Sequence, residues 1–304
     1  MATQSFAFRT IPEHGLLFPS PSGRGTKGEG QTGKRSFSQR RARRRFSQLS
    51  TLSSQLFAVL LALTLLTACK SAEPMPTTTQ TEQKFTKRVS HELTANYLLH
   101  LPLDYKAKAK QRWPLMIFLH GAGERGTNLS AVTRHGPPKI VKSKTDFPFI
   151  LVSPQCPAGE RWDNETIMAL VDHVTAKHRV DTNRIYLTGL SMGGFGTWSL
   201  AVAHPNKFAA VAPICGGGET IPIALADKRK QEQLKKLPVW AFHGAKDPVV
   251  KLEESEKMVN AFKRIGSQNV ELTVYPEATH DSWTETYDNP KLYDWFLSHS
   301  LRTR

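Results

Sequence analysis

Five short runs in this 304-residue chain are apolar without a break: Leu115–Leu119, Phe149–Val152, Ile185–Leu187, Ala209–Ala212 and Pro238–Phe242. They constrain the fold more than any other feature. A strand apolar at every position is buried on both faces, which is the habit of parallel sheets; half-exposed antiparallel strands alternate instead. Between the runs the apolar period changes to that of a helix, as at Ile167, Leu170, Val171 and Val174, with Asp163 or Asn164 available as N-cap. A second helix is predicted from about Leu252 to Ile265, ending at Gly266, and a last one over Leu292–Leu297. Val270–Tyr275 reads as a further strand, and the alternation of Tyr97, Leu99 and Leu101 as an early one. The pattern predicts an α/β fold: a mostly parallel sheet with helices on both faces. Ligands in such sheets bind at the C-terminal ends of the strands, so the residues just after each strand carry the functional signal.

After Leu187 the chain reads Thr188-Gly189-Leu190-Ser191-Met192-Gly193-Gly194. This is G-x-S-x-G between a predicted strand and a predicted helix, the setting of a nucleophile elbow that lifts the serine Oγ to the top of the sheet. Serine needs a base to lose its proton at neutral pH. His243-Gly244-Ala245-Lys246-Asp247 and Pro276-Glu277-Ala278-Thr279-His280 follow the predicted strands Pro238–Phe242 and Val270–Tyr275, so acid and histidine come downstream in the required chain order. The expected roles are Ser191 as nucleophile, His280 as general base and then acid, and Asp247 as the group that orients His280. Glu219 and Asp281 are rival acids, although neighbours such as Asp281 and His280 rarely point at one another. His243 and His120 each precede a glycine at a strand end and read as hydrogen-bonding residues that shape a turn. The loop His120-Gly121-Ala122-Gly123 is the expected source of one oxyanion donor, so the backbone N–H groups of Ala122 and Met192 are assigned that role. No His, Cys, Asp or Glu cluster has metal-ligand spacing, so no metal is expected.

Residues from about 95 to 300 resemble the α/β-hydrolase superfamily. More narrowly, they resemble the small bacterial esterases labelled phospholipase/carboxylesterase, dienelactone-hydrolase-like or prolyl-oligopeptidase-family predicted peptidases. The segments that carry the resemblance are residues 120–126, 189–194, 241–247 and 280–283. It implies a single-domain α/β-hydrolase fold, a Ser–Asp–His triad and ester hydrolysis without a cofactor. It leaves the substrate open, since related proteins include acetyl and feruloyl esterases and polyester depolymerases. Small acyl or carbohydrate esters are the expected substrates. A serine peptidase is the alternative, although prolyl-oligopeptidase relatives usually carry an extra gating domain. A non-catalytic surface binding module is the lesser alternative, and the intact Ser191, Asp247 and His280 argue against it. Glu124, Trp162 and Trp283 fall near strand ends and are candidate substrate contacts, with Glu124 and Arg125 also able to pair and hold the oxyanion loop. Cys156 and Cys215 both follow strands, and the sequence leaves open whether they form a disulfide.

The N-terminal part reads as an address. Five arginines between Arg40 and Arg45 precede the uncharged run Leu56–Leu66, and Leu66-Thr67-Ala68-Cys69 resembles the lipobox of bacterial lipoproteins. The expected organisation is a leader and signal over 1–68, a lipidated Cys69 with a flexible tether over 69–84, and the catalytic domain over 85–304. The first 40 or so residues are long for a signal n-region and suggest a misassigned translation start. A membrane-anchored protein exported to the periplasmic or cell-surface side follows. Of the formal charge of +15, residues 1–68 supply +8 and the remainder +7, with no basic stripe interleaved with aromatics; no nucleic-acid partner is expected. Three cysteines are too few for a disulfide-built scaffold, and no apolar run reaches the roughly 18–20 residues that a membrane span needs.

Overall fold

A computed structural model describes residues 80–303. The chain divides into two units, residues 1–85 and 86–304. Of the first, residues 80–85 are exposed, without helix or strand. The leader, lipobox and Cys69 lie outside the described residues.

The second unit is built on a seven-stranded sheet: β1 (Tyr97–His100), β2 (Trp113–Leu119), β3 (Ile150–Pro154), β4 (Val180–Leu190), β5 (Ala210–Ile214), β6 (Val239–Gly244) and β7 (Val270–Tyr275). Their order across the sheet is β1-β3-β2-β4-β5-β6-β7. β1 runs antiparallel to β3, with Tyr97 opposite Pro154, and every other pairing is parallel. The helices are α1 (Gly136–Ile140), α2 (Asn164–Lys177), α3 (Met192–Ala203), α4 (Ile221–Ala224), α5 (Lys228–Lys236), α6 (Glu253–Arg264), α7 (Trp283–Asp288) and α8 (Pro290–Ser298). Asp163 caps α2, its carboxylate accepting from the Thr166 N–H at 2.8 Å.

The apolar runs behave as their composition demands. All seven residues of β2 are buried, and they alternate between two cores. Leu115, Ile117 and Leu119 pack with residues of α2, α3, α5 and α6; Met116 and Phe118 pack on the other face with residues of α1, α7 and α8. A strand clamped this way contributes apolar burial from both sides of the sheet, about 1.5–3 kcal/mol for each large side chain. Tyr97–His100 is only partly buried because it forms the sheet edge, and of the predicted apolar set Tyr97 and Leu101 pack on the core while Leu99 is exposed. The sequence pattern missed the short helices α1, α4 and α7, which are too brief to show a helical period, and α5, whose composition is almost wholly polar.

Candidate active site

β4 ends at Leu190 and α3 begins at Met192, leaving one residue, Ser191, to turn the chain. Its φ of 52° and ψ of −116° lie where L-residues are strained, at a cost of about 1–3 kcal/mol. The turn is held from below, where the Ser191 N–H donates to the Ile214 carbonyl oxygen at 3.0 Å and meets Cys215 Sγ at 3.3 Å. Cys215 also has a positive φ, 40°, and burial pushes its thiol up to about 12. Helix α3 starts against bare backbone, since a Cβ on Gly193 would sit 1.9 Å from the Leu119 carbonyl oxygen. Gly193→Ala is therefore expected to destabilise the fold by about 3 kcal/mol or more. Urea denaturation checks this as a lowered midpoint at unchanged slope.

Asp247 follows β6 and His280 follows β7, and the fold brings both to Ser191. His280 Nε2 lies 3.0 Å from Ser191 Oγ, and His280 Nδ1 lies 2.7 Å from Asp247 Oδ2. Asp247 Oδ1 accepts from the N–H groups of Val249 at 2.8 Å and Val250 at 2.9 Å. Burial raises the affinity of the Asp247 carboxyl for a proton. The bonds from His280, Val250 and Val249 outweigh it and hold the group below its ordinary range. Close approach again needs a glycine: a Cβ on Gly244 would lie 2.2 Å from the Thr279 carbonyl oxygen, so the loop carrying His280 lies directly on the end of β6. The rival acids are elsewhere. Asp281 caps the start of α7, accepting from the Thr284 N–H at 3.0 Å, and Glu219 is exposed on the far wall of the cleft.

Ala122 and Met192 each stand at the first position of a helix, Ala122 in a single 3-10 turn over Ala122–Glu124. Among the described residues neither N–H donates to a protein acceptor. The expected Glu124–Arg125 pair does not form. Arg125 Nε donates to the Ala122 carbonyl oxygen at 3.0 Å and its Nη1 to that of Glu160 at 3.1 Å. The buried Glu124 carboxylate instead meets Arg134 at 3.4 Å and His135 at 3.9 Å. Successive side chains on this tight turn diverge, so each takes the partner on its own side. Arg125 thus holds the carbonyl of Ala122, on the peptide next to the one that carries the Ala122 N–H. Arg125→Gln is expected to lower kcat about tenfold through loss of charge-assisted bonds worth about 1.5 kcal/mol or more, with little change in KM, as steady-state kinetics would show.

The histidines before glycine are hydrogen-bonded within the protein. His120 Nδ1 donates to the Gly121 carbonyl oxygen at 2.7 Å, and Nε2 accepts from the Cys156 N–H at 3.0 Å. Burial lowers the pKa of His120 from the usual 6.5, and likewise those of His100, His178 and His204. A depressed histidine contributes stability that is complete above the unfolded value, near 6.5, and is lost as the pH falls through the folded value. The melting temperature is therefore expected to drop on acidification below pH 6.5, and His120→Gln is expected to flatten that dependence in scanning calorimetry.

A cleft of about 760 Å³ opens beside Ser191, lined by Trp162, Phe195, Val202 and Met258 with Arg161, Glu219 and Lys230 toward its polar parts. Trp162 is fixed by its indole N–H, which donates to the His120 carbonyl oxygen at 3.1 Å. Trp283 and Glu124 do not line this cleft. Trp283 stands edge-on to His280, ring centroids 5.2 Å apart, and packs likewise on His135. Cys156 and Cys215 are both buried and free. The sequence reading missed Phe195, Met258 and Lys230 as cleft residues. Phe195 lies four residues beyond the nucleophile and was legible as one helical turn from it; the other two come from distant helices. Among the described residues no group of His, Cys, Asp and Glu is placed to hold a metal ion, and no helix is long and apolar enough to cross a membrane.

A model of the Phospholipase/Carboxylesterase family matches residues 147–290, a segment that holds Ser191, Asp247 and His280. The chain is 26% identical over 192 residues to a bifunctional acetylxylan esterase/xylanase of Neocallimastix patriciarum, covering 60% of this chain and 26% of that protein. It is 46% identical over 52 residues to poly(3-hydroxyalkanoate) depolymerase C of Paucimonas lemoignei, 17% of this chain and 13% of the depolymerase. The chain thus spans about a quarter and about an eighth of the lengths of these two relatives. Among solved structures, a thermostable esterase superposes with a TM-score of 0.54 at 32% identity, covering 67% of this chain and 59% of that one. A ferulic acid esterase shares the fold with a TM-score of 0.52 at 19% identity, covering 66% of this chain and 89% of its own. The fold is that of an α/β-hydrolase, and residues 147–290 are similar to the Phospholipase/Carboxylesterase family.

Proposed function

We propose that this protein is a serine carboxylic-ester hydrolase that works through an acyl-enzyme and acts on small acyl or carbohydrate-linked esters such as acetyl and feruloyl groups. The observation that carries the reading is the continuous line of hydrogen bonds from Ser191 through His280 to Asp247 at the mouth of an open cleft. In this scheme Ser191 Oγ attacks the ester carbonyl as His280 Nε2 takes its proton. Asp247 stabilises the resulting imidazolium, and the N–H groups of Ala122 and Met192 receive the oxyanion, each such donor being worth about 10²–10³ in rate. His280 then passes its proton to the leaving alcohol, and water repeats the sequence in reverse to free the acid. The flat faces of Trp162 and Phe195 suit an aromatic acyl group or a sugar ring. Ile221 and Leu225, 67% and 80% exposed, flank Pro222 of the cleft wall and extend the apolar surface available to a substrate. The acetylxylan esterase relative supports the carbohydrate-ester choice. The lipobox-like Leu66-Thr67-Ala68-Cys69 supports action at the cell envelope from a lipid anchor on Cys69.

The test is hydrolysis of p-nitrophenyl acetate, p-nitrophenyl octanoate, methyl ferulate, acetylated xylan and a prolyl peptide amide by the full chain, with Ser191→Ala as the blank. Turnover of methyl ferulate or release of acetate from xylan is expected. Cleavage of the amide alone would replace the esterase reading with a peptidase, and Globomycin-sensitive processing of the precursor at Cys69, seen by mass spectrometry, is the expected sign of the anchor.

A further inference from the structure

We propose that His243 carries a proton on both ring nitrogens and serves as a buried cation that shares the charge of Asp247 with His280. The side chains of His243 and Asp247 are fully buried and meet at 3.3 Å, Nε2 to Oδ2. Nε2 also lies 2.9 Å from the Val250 carbonyl oxygen. Both neighbours are acceptors, so Nε2 bears a proton. On the other side of the ring, Nδ1 lies 2.7 Å from Ser255 Oγ, and that Oγ lies 2.7 Å from the carbonyl oxygen of the buried Gly216.

The hydroxyl of Ser255 owns a single proton. Placed toward Gly216, it leaves Oγ to accept from Nδ1–H, and the ring is a cation. Placed toward Nδ1, it leaves two oxygens 2.7 Å apart with no proton between them. The Gly216 carbonyl then loses the donor it has here, and among the described residues no other hydrogen bond to it is present. A buried carbonyl facing a lone pair is costly, and so is an unpaired buried cation. Only the first arrangement satisfies every atom, because Asp247 supplies the countercharge. Glu254, the neighbour of Ser255, is engaged with Lys257, so Asp247 is the carboxylate that faces the ring.

Asp247 accepts three hydrogen bonds, two from backbone and one from His280, and its Oδ2 also lies 3.3 Å from the charged His243 ring. The His243 charge 3.3 Å away offsets part of the Asp247 charge, so Asp247 stabilises the imidazolium formed at His280 less than a lone carboxylate would. His243 acts as a positioning residue through Asp247 and touches no substrate.

The test uses the full chain labelled with ¹⁵N-histidine, the His243 signals being assigned by their loss in His243→Gln or their displacement in Ser255→Ala. Both ring nitrogens of wild-type His243 are expected to show N–H type shifts across pH 6–8. A pyridine-type nitrogen at Nδ1 overturns the proposal, and either variant suffices for the assignment. Ser255→Ala removes the acceptor of Nδ1–H, so the ring is expected to become neutral and the acid limb of kcat/KM to move to higher pH. Ser255→Thr, which restores the hydroxyl, is expected to return both. An acid limb that stays in place when the Nδ1 proton is lost overturns the charge-sharing role. The kinetic arm rests on the esterase reading and the spectroscopic arm does not, so a wild-type chain silent on every ester fails that reading while the proton count is still decided.

Discussion

Replacement of Ser191 by alanine is expected to lower ester hydrolysis by about 10⁴–10⁶-fold and to leave the fold in place. In the proposed mechanism the Oγ forms the acyl bond, and among the described residues its side-chain partner is His280 Nε2 at 3.0 Å. The strained turn does not depend on it, because alanine and serine share the Cβ that makes a φ of 52° unfavourable. Ser191 is half buried and its backbone N–H keeps its bond to the Ile214 carbonyl, so stability should change by no more than about 0.5 kcal/mol. Initial rates on p-nitrophenyl acetate, read beside a thermal melt, check both halves. A well-folded Ser191→Ala protein with substantial turnover would rule out the acyl-enzyme mechanism.

Asp247→Asn is expected to cost about 10⁴-fold in kcat, the loss that the matching change produces in serine proteases, through a change of tautomer. Oδ1 of Asp247 is committed to two backbone N–H donors, from Val249 and Val250. In asparagine only the amide oxygen can take that position. The amide NH₂ must then occupy the place of Oδ2 and face His280 Nδ1, now 2.7 Å from an acceptor. Two donors cannot meet there, so Nδ1 gives up its proton and Nε2 takes it. Nε2–H points at Ser191 Oγ and cannot accept from it. Binding is untouched, so KM should hold while kcat falls. A variant that keeps kcat within tenfold of wild type would mean that Asp247 does not set the tautomer.

The same carboxylate ties chemistry to acid stability. Its folded value lies below its ordinary one, so the stability it contributes is complete above about pH 4 and is lost as the pH falls through the folded value. The depressed histidines act in the same direction at higher pH, with His120 the most buried of those bonded near the site. Together they predict a protein that weakens first below pH 6.5 and again in strong acid.

The apolar runs and the chain order of Ser191, Asp247 and His280 were legible in sequence because both are local signals. A strand buried on two faces must be apolar at every position, and a nucleophile elbow must read G-x-S-x-G. Parallel strands then carry every strand-end residue to one edge of the sheet. What only the tertiary structure decided are the pairings between loops that the sequence places far apart. Arg125 and Glu124 are adjacent in sequence yet take different partners, Arg125 on the Ala122 and Glu160 carbonyls and Glu124 on Arg134 and His135. Trp162 and Trp283 were equal candidates for substrate contact; one lines the cleft and the other braces His280. His243 was read as a residue that shapes a turn, and its place between Asp247 and Ser255 depends on helix α6 lying over the end of β6. Periodicity and spacing report how a residue sits in its own element. Which polar atom meets which across the sheet edge is set by how the elements pack, where a shift of about an ångström separates a hydrogen bond from none.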